Sequence, residues 1–252
     1  MELYKELVNK LMYLIALLTI LIIVVFFGVV NHDKIWSTQL EDPILDWNPY
    51  DIVLNNPEVP EDVKEGFLLL DSSAIYMGPL NKDPKLRFSG NNLSCTNCHL
   101  NGGTKSGAAP WFGMIDRFPQ FSGRSNNVGT LVERINGCME RSMNGIAFPE
   151  NASQMKKMIA YMEWLDYGAP KLNSKKISGY PSIVIPFTAV DKKKGEEIYI
   201  KECVVCHGIK GEGILHQESK RGYQYPPLWG YDTYNDGAGM NRVLTAAAFI
   251  KN

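Results

Sequence analysis

Two pentapeptides constrain this chain more than any other feature: Cys95-Thr96-Asn97-Cys98-His99 and Cys203-Val204-Val205-Cys206-His207. CxxCH is the attachment spacing of c-type haem. The two thiols form thioethers with the porphyrin vinyl groups, and the histidine held next to them becomes the proximal ligand of the iron. A structural zinc site or a thioredoxin-like CxxC shares the cysteine spacing, but neither gives a reason for a histidine directly after both pairs. The pattern implies two covalently bound haem c groups. Cys95, Cys98, Cys203 and Cys206 would attach them, and His99 and His207 would bind the irons.

The formal net charge is -1, which gives no electrostatic case for a nucleic-acid partner. Leu11 to Val30 is free of charge, and about 20 apolar residues match the ~30 Å hydrocarbon core of a bilayer. The residues that follow, Asn31-His32-Asp33-Lys34, hold no small-residue cleavage site, so an uncleaved anchor is favoured over a removed signal peptide. Lys5 and Lys10 before the segment and Lys34 after it orient it weakly. Of five cysteines, four belong to the CxxCH pairs. Cys138 is left without a disulfide partner, and must be buried and inert, joined to another protein, or bound to something.

Composition and periodicity divide the rest. Residues 1–10 form a short N-terminus, 11–30 the anchor and 31–59 an Asn-, Asp- and Pro-rich tether. Residues 60–168 form a first globular unit, 169–187 a Gly-, Pro- and Lys-rich linker, and 188–252 a second unit. A helix is expected from about Pro60-Glu61, with Val63, Gly66, Phe67 and Leu70 on one face, and another from about Val128 to Met139 carrying Cys138. A third, from about Ser153 to Leu165, places Met155, Met158, Ile159, Met162 and Leu165 on one face, a stripe that reads as core. Asp191 is a natural N-cap for a helix running through Tyr199 into the second CxxCH. The halves form a weak repeat, each a helix feeding a haem motif. They resemble class I cytochrome c domains, which implies a mainly α fold with two such domains in tandem after the N-terminal transmembrane helix. In that resemblance a last helix crosses the first. Ser153 to Leu165 can fill that role in the first half, whereas the second half reaches Asn252 a few residues into its next element, Leu244 to Ile250.

The side chain opposite the proximal histidine decides whether a haem conducts or reacts. The remaining histidines are His32, beside the anchor, and His216, in a Gly-rich loop. At the second haem Met240, in Gly237-Ala238-Gly239-Met240, is the best candidate, with His216 as the alternative. Its thioether would favour ferrous iron, as an electron-exit haem requires. At the first haem Cys138 lies where a class I domain places its distal ligand, and Met114, Met139, Met143 and Met155 compete with it. A thiolate there would lower the potential, and Arg124, Arg134 and Arg141 supply charge that favours thiolate over thiol. Arginine forks together with the Ser142 hydroxyl would also suit a small oxyanion.

The stretches Asn91 to Thr104 (NNLSCTNCHLNGGT), Arg134 to Gly145 (RINGCMERSMNG), Tyr225 to Gly230 (YPPLWG) and Asn235 to Met240 (NDGAGM) resemble periplasmic thiosulfate dehydrogenases over roughly residues 60–252. A weaker similarity links them to the dihaem subunit of sulfur-oxidising complexes. The resemblance implies His99/Cys138 ligation at the first haem and His207/Met240 at the second, with Arg124, Arg134 and Ser142 contacting substrate. It also implies oxidation of two thiosulfates to tetrathionate, or the reverse, with Cys138 forming a transient sulfur–sulfur bond to substrate. Electrons would pass through the second haem to a small periplasmic electron-carrier protein. Some relatives place a lysine directly before the second-haem methionine and exchange ligands on reduction; here that position is Gly239. Resemblance to c-type cytochromes places the soluble part in the periplasm, held on the cytoplasmic membrane by a single pass.

Overall fold

The computed structural model describes residues 1–30, 48–149, 151–168, 179–185, 187–217 and 221–251. His32, most of the tether and most of the linker lie outside the described residues. The chain separates into two units, Met1–Leu45 and Asp46–Asn252.

The first unit contains helix α1, Glu2–Val30. It is long and apolar enough to cross a membrane, and its apolar side chains, from Leu11 and Ile15 to Phe26 and Phe27, are exposed along its length. Its charged residues gather at the N-terminal end, where Lys10 pairs with Glu6 at 2.8 Å.

In the second unit, α2 (Glu61–Asp71) follows Pro60, with Glu61 and Asp62 in its first turn, where carboxylates complement the helix dipole. It buries Val63, Phe67, Leu69 and Leu70 against α4 (Ser153–Glu163), which buries Met155, Met158, Tyr161 and Met162. Fully burying one such side chain is worth roughly 1.5–3 kcal/mol. Gly66 sits at the crossing. A Cβ there would collide with the Lys157 backbone carbonyl, so glycine sets how closely the two helices approach. Lys157 also pairs with Glu65 across the crossing. Within the tether, Tyr50 stands edge-on to Phe67 at 5.4 Å and Val53 is fully buried. α4 gives way to a π-helical turn, Trp164–Gly168, earlier than the expected end at Leu165. There Asp166 accepts hydrogen bonds from the amides of Gly113 and Ile115.

Two strands, β1 (Gln120–Ser122) and β2 (Asn127–Gly129), form an antiparallel hairpin with Phe121 opposite Val128. Val128 is therefore in a strand, and α3 runs Leu131–Arg141. The reason is a capping box: the Thr130 hydroxyl accepts from the Glu133 amide at 3.2 Å, and the Glu133 carboxylate accepts from the Thr130 amide at 2.6 Å. The second half contributes α5 (Lys192–Glu202), capped by Asp191, whose carboxylate accepts from the Lys194 amide at 3.0 Å. A small β3–β4 hairpin (Ile214–Leu215 with Tyr223–Tyr225) and α6 (Val243–Ile250) complete it. The fold is mainly helical, as expected.

The two halves of the second unit are joined by hydrogen bonds. The Asp232 carboxylate accepts from the Asn92 amide at 2.8 Å, from Asn92 Nδ2 at 3.0 Å and from the Tyr223 hydroxyl at 2.9 Å. Asn97 Nδ2 donates to the Tyr223 carbonyl at 3.0 Å.

Candidate functional site

The first CxxCH lies in a loop fastened to the end of α3. Buried Asn91 donates through Nδ2 to the Ser142 carbonyl at 3.0 Å, and the Asn97 carboxamide accepts from the Ser94 amide at 2.8 Å. Cys95 and Cys98 are free thiols. Burial pushes them up to about 11 and about 12, as expected of thiols in an apolar wall. His99 Nδ1 lies 2.6 Å from the Ala109 carbonyl oxygen, and its ring packs against Trp111 with centroids 5.1 Å apart. Burial brings His99 down to about 4. The ring is therefore neutral, its Nδ1–H is held by that carbonyl, and Nε2 keeps its lone pair for a metal. Gly103 makes this arrangement possible. At φ 79° it tolerates the turn, and a Cβ would fall inside the Trp111 ring.

Cys95, Cys98 and His99 open onto a cavity of about 680 Å³ walled by Leu93, Trp111, Ile135, Met139 and Met158, among other apolar side chains, and by Cys138. The residues fit haem c: two free thiols and an oriented imidazole at one edge, and an apolar bed around them. Among the described residues no three His, Cys, Asp or Glu side chains converge as a metal-binding cluster, so the zinc alternative finds no ligand set.

Cys138 reaches this cavity from α3. One turn earlier, Arg134 Nη1 lies 2.9 Å from Cys138 Sγ and donates to it. Both also line a second, wider cavity of about 1680 Å³ with Arg124, Arg141, Ser142, Tyr180, Met240 and Arg242. Cys138, Arg124, Arg134 and Ser142 thus line one cavity. Of the competing methionines, Met139 and Met143 line the first cavity, Met114 lines a neighbouring one with His99 and Arg117, and Met155 is buried in the α2–α4 core.

Met240, a candidate ligand for the second haem, lines both cavities at His99 and Cys138. The cause is a clamp: the Asn235 amide donates to the Arg141 carbonyl at 3.0 Å and Asn235 Nδ2 to the Glu140 carbonyl at 2.9 Å, fixing the 235–240 loop on the end of α3. His216 lines a separate polar cavity with Tyr50, Asp71 and Arg221.

The second CxxCH repeats the first in its polar contacts. His207 Nδ1 lies 2.8 Å from the Pro226 carbonyl oxygen, Cys203 and Cys206 are free, and the Tyr199 hydroxyl donates to the Gly208 carbonyl at 2.6 Å. The Tyr161 hydroxyl bonds the Gly102 carbonyl in the same way, at 2.8 Å, in the first half. Sequence reasoning missed Trp111, Tyr180 and Arg242 at the first site. The Gly102-Gly103 pair hinted at Trp111, since two glycines after the motif imply a close approach, but nothing local marks the other two.

Residues 87–170 match the SoxA/TsdA cytochrome c domain. The thiosulfate dehydrogenase of Stutzerimonas stutzeri (strain A1501) is 41% identical over 164 residues, covering 65% of this chain and 52% of that protein. The thiosulfate dehydrogenase of Allochromatium vinosum is 41% identical over 169 residues, covering 66% and 62%. A solved structure of thiosulfate dehydrogenase (TsdBA) from Marichromatium purpuratum, in its as-isolated form, superposes with a TM-score of 0.67 at 35% identity, covering 77% of this chain and 41% of that one. The chain spans about half the length of most of the curated relatives it matches.

Proposed function

We propose that this chain, whose residues 87–170 are a SoxA/TsdA cytochrome c domain, oxidises two thiosulfates to one tetrathionate and can run the reverse reduction. The observation that carries this reading is the joining of the Cys95–His99 cavity to a basic cavity through Cys138, with Arg134 Nη1 at 2.9 Å from its sulfur. A protein that only conducts electrons has no use for an arginine-lined space beside a reactive sulfur.

Cys95, Cys98, His99 and Cys138 would hold one haem c. Cys203, Cys206 and His207 would hold a second, and the matching polar contacts of the two motifs support two cytochrome c domains in tandem, residues 60–168 and 188–252. When bound, each haem supplies a one-electron acceptor, so two match the two-electron stoichiometry.

The chain's own residues do the rest. Arg134 donates to the Cys138 sulfur and holds it in place, and Arg124 and Ser142 bind the sulfonate of the first thiosulfate. Cys138 Sγ bonds to the sulfane sulfur of that thiosulfate, two electrons leave, and the sulfonate stays on the arginines. The sulfane sulfur of a second thiosulfate then attacks the bound sulfane sulfur. A new sulfur–sulfur bond forms, the bond to Cys138 breaks, and tetrathionate leaves with Cys138 restored as thiolate. The haem that Cys203, Cys206 and His207 would hold would supply the electron outlet to a small periplasmic carrier, and α1 would tether the protein to the cytoplasmic membrane with its soluble part outside.

Replacing Cys138 with Gly tests this reading against a passive dihaem electron carrier. Loss of thiosulfate-dependent reduction with both haems still attached supports the enzyme, and unchanged turnover contradicts it.

A further inference from the structure

The basic cavity holds more positive charge than one thiosulfate requires. Arg124 faces it from the β1–β2 turn, Arg134 and Arg141 from α3, and Arg242 from the residue before α6; Asp236 is the one carboxylate on its described wall. Among the described residues the ion pairs are Lys10–Glu6, Lys157–Glu65 and Lys201–Glu202, so none of the four arginines has a carboxylate partner. Arg124 is held below the usual guanidinium range, first by loss of water and then by repulsion from Arg141, Arg242 and Arg134, in that order. Cations left close together without partners are arranged for an anion.

The four are not equivalent. Arg134 is committed to Cys138 Sγ. Arg141 lies between two glycines. A Cβ on Gly137 would strike its guanidinium, and a Cβ on Gly237 would come within 3.0 Å of its Cδ. Arg242 arrives from the other half of the unit, on the loop that Asn235 clamps to α3, and its amide bonds the Gly239 carbonyl at 3.1 Å. The clamp that places Met240 thus also delivers Arg242.

Coupling two thiosulfates needs a place for the second while the first is bonded to Cys138, and the sulfonate charges oppose their approach. We propose that Arg141 and Arg242, facing Arg124, form a second sulfonate subsite that holds the attacking thiosulfate, with Arg242 as its dedicated residue. The inference rests on the thiosulfate reading above. In the step it serves, the second sulfane sulfur bonds to the Cys138-bound sulfane sulfur, and Cys138 departs as thiolate with no change in electron count.

The test uses the full-length holoprotein carrying Arg242→Gln, with Arg242→Lys as a charge-retaining control and haem content as the check on folding. Thiosulfate is mixed anaerobically with oxidised protein, and haem reduction, tetrathionate and the mass of the Cys138 peptide are followed. In Arg242→Gln, haem reduction keeps its wild-type rate, tetrathionate release slows by about tenfold or more, as expected for loss of a charge-assisted contact, and a thiosulfate adduct accumulates on Cys138. Arg242→Lys recovers part of the release rate. Unchanged release, or haem reduction slowed as much as release, overturns the second subsite while leaving the parent reading intact. Failure of thiosulfate to reduce wild-type haem sinks the parent reading, and this one with it. Loss of haem from Arg242→Gln would show a scaffold role instead and also overturns the assignment.

Discussion

Arg134 Nη1 donates to Cys138 Sγ at 2.9 Å across one turn of α3. The pair couples the two cavities: the sulfur looks into the apolar bed of His99, and the guanidinium lines the basic space outside it. A hydrogen bond to a charged group is worth about 1.5–3 kcal/mol. Arg134→Gln is therefore expected to lower kcat/KM for thiosulfate by roughly 10- to 100-fold with haem content unchanged. Arg134→Lys should recover only part, because an ammonium restores the charge without the fork. Steady-state assays of the three proteins check this, and equal activity in all three would contradict it.

The α2–α4 crossing depends on Gly66, whose missing side chain makes room for the Lys157 carbonyl. Gly66→Ala forces the helices apart and should cost about 1–3 kcal/mol. A thermal melt of the holoprotein reads this as a lower Tm, and an unchanged Tm would show that the crossing yields without cost.

Tyr223 links pH to the joining of the two halves. Burial first, and then its hydrogen bond to Asp232, pushes its phenol up to about 12. In the unfolded chain a tyrosine ionises near 10. The contribution is complete below pH 10 and is lost as pH rises towards about 12, because only the unfolded state gives up the proton across that window. Denaturant midpoints measured between pH 9 and 12 should fall, and fall less steeply in Tyr223→Phe. Parallel slopes would remove Tyr223 from the account.

Replacing residues 1–30 with a cleavable secretory signal should move the protein from the membrane fraction to the soluble one and leave thiosulfate oxidation in place. Cell fractionation with an activity assay checks both halves. Retention on membranes would show that α1 is not the tether.

What could be read from the sequence is what local chemistry fixes. Thioether attachment dictates CxxCH, so the cofactor followed from ten residues. The α2 and α4 faces followed from a 3.6-residue period, and Met155, Met158 and Met162 are buried as that period implies, two of them also walling the first cavity. The β1–β2 hairpin was missed because three-residue strands carry too little alternation to compete with a helical reading of Val128. Thr130 and Glu133 held the capping signal that would have corrected it. Met240 and Arg242 could not be placed locally. Their position is set by Asn235 bonding the backbone of α3, a contact between segments far apart in sequence.

The most direct test mixes oxidised full-length holoprotein with thiosulfate in the absence of any other reductant or acceptor, following the haem spectrum and measuring tetrathionate. Both haems should turn ferrous, with one tetrathionate formed per two electrons taken up. A spectrum left unchanged by thiosulfate, in protein whose haems dithionite still reduces, would contradict the assignment of Cys138 and its arginines to thiosulfate chemistry.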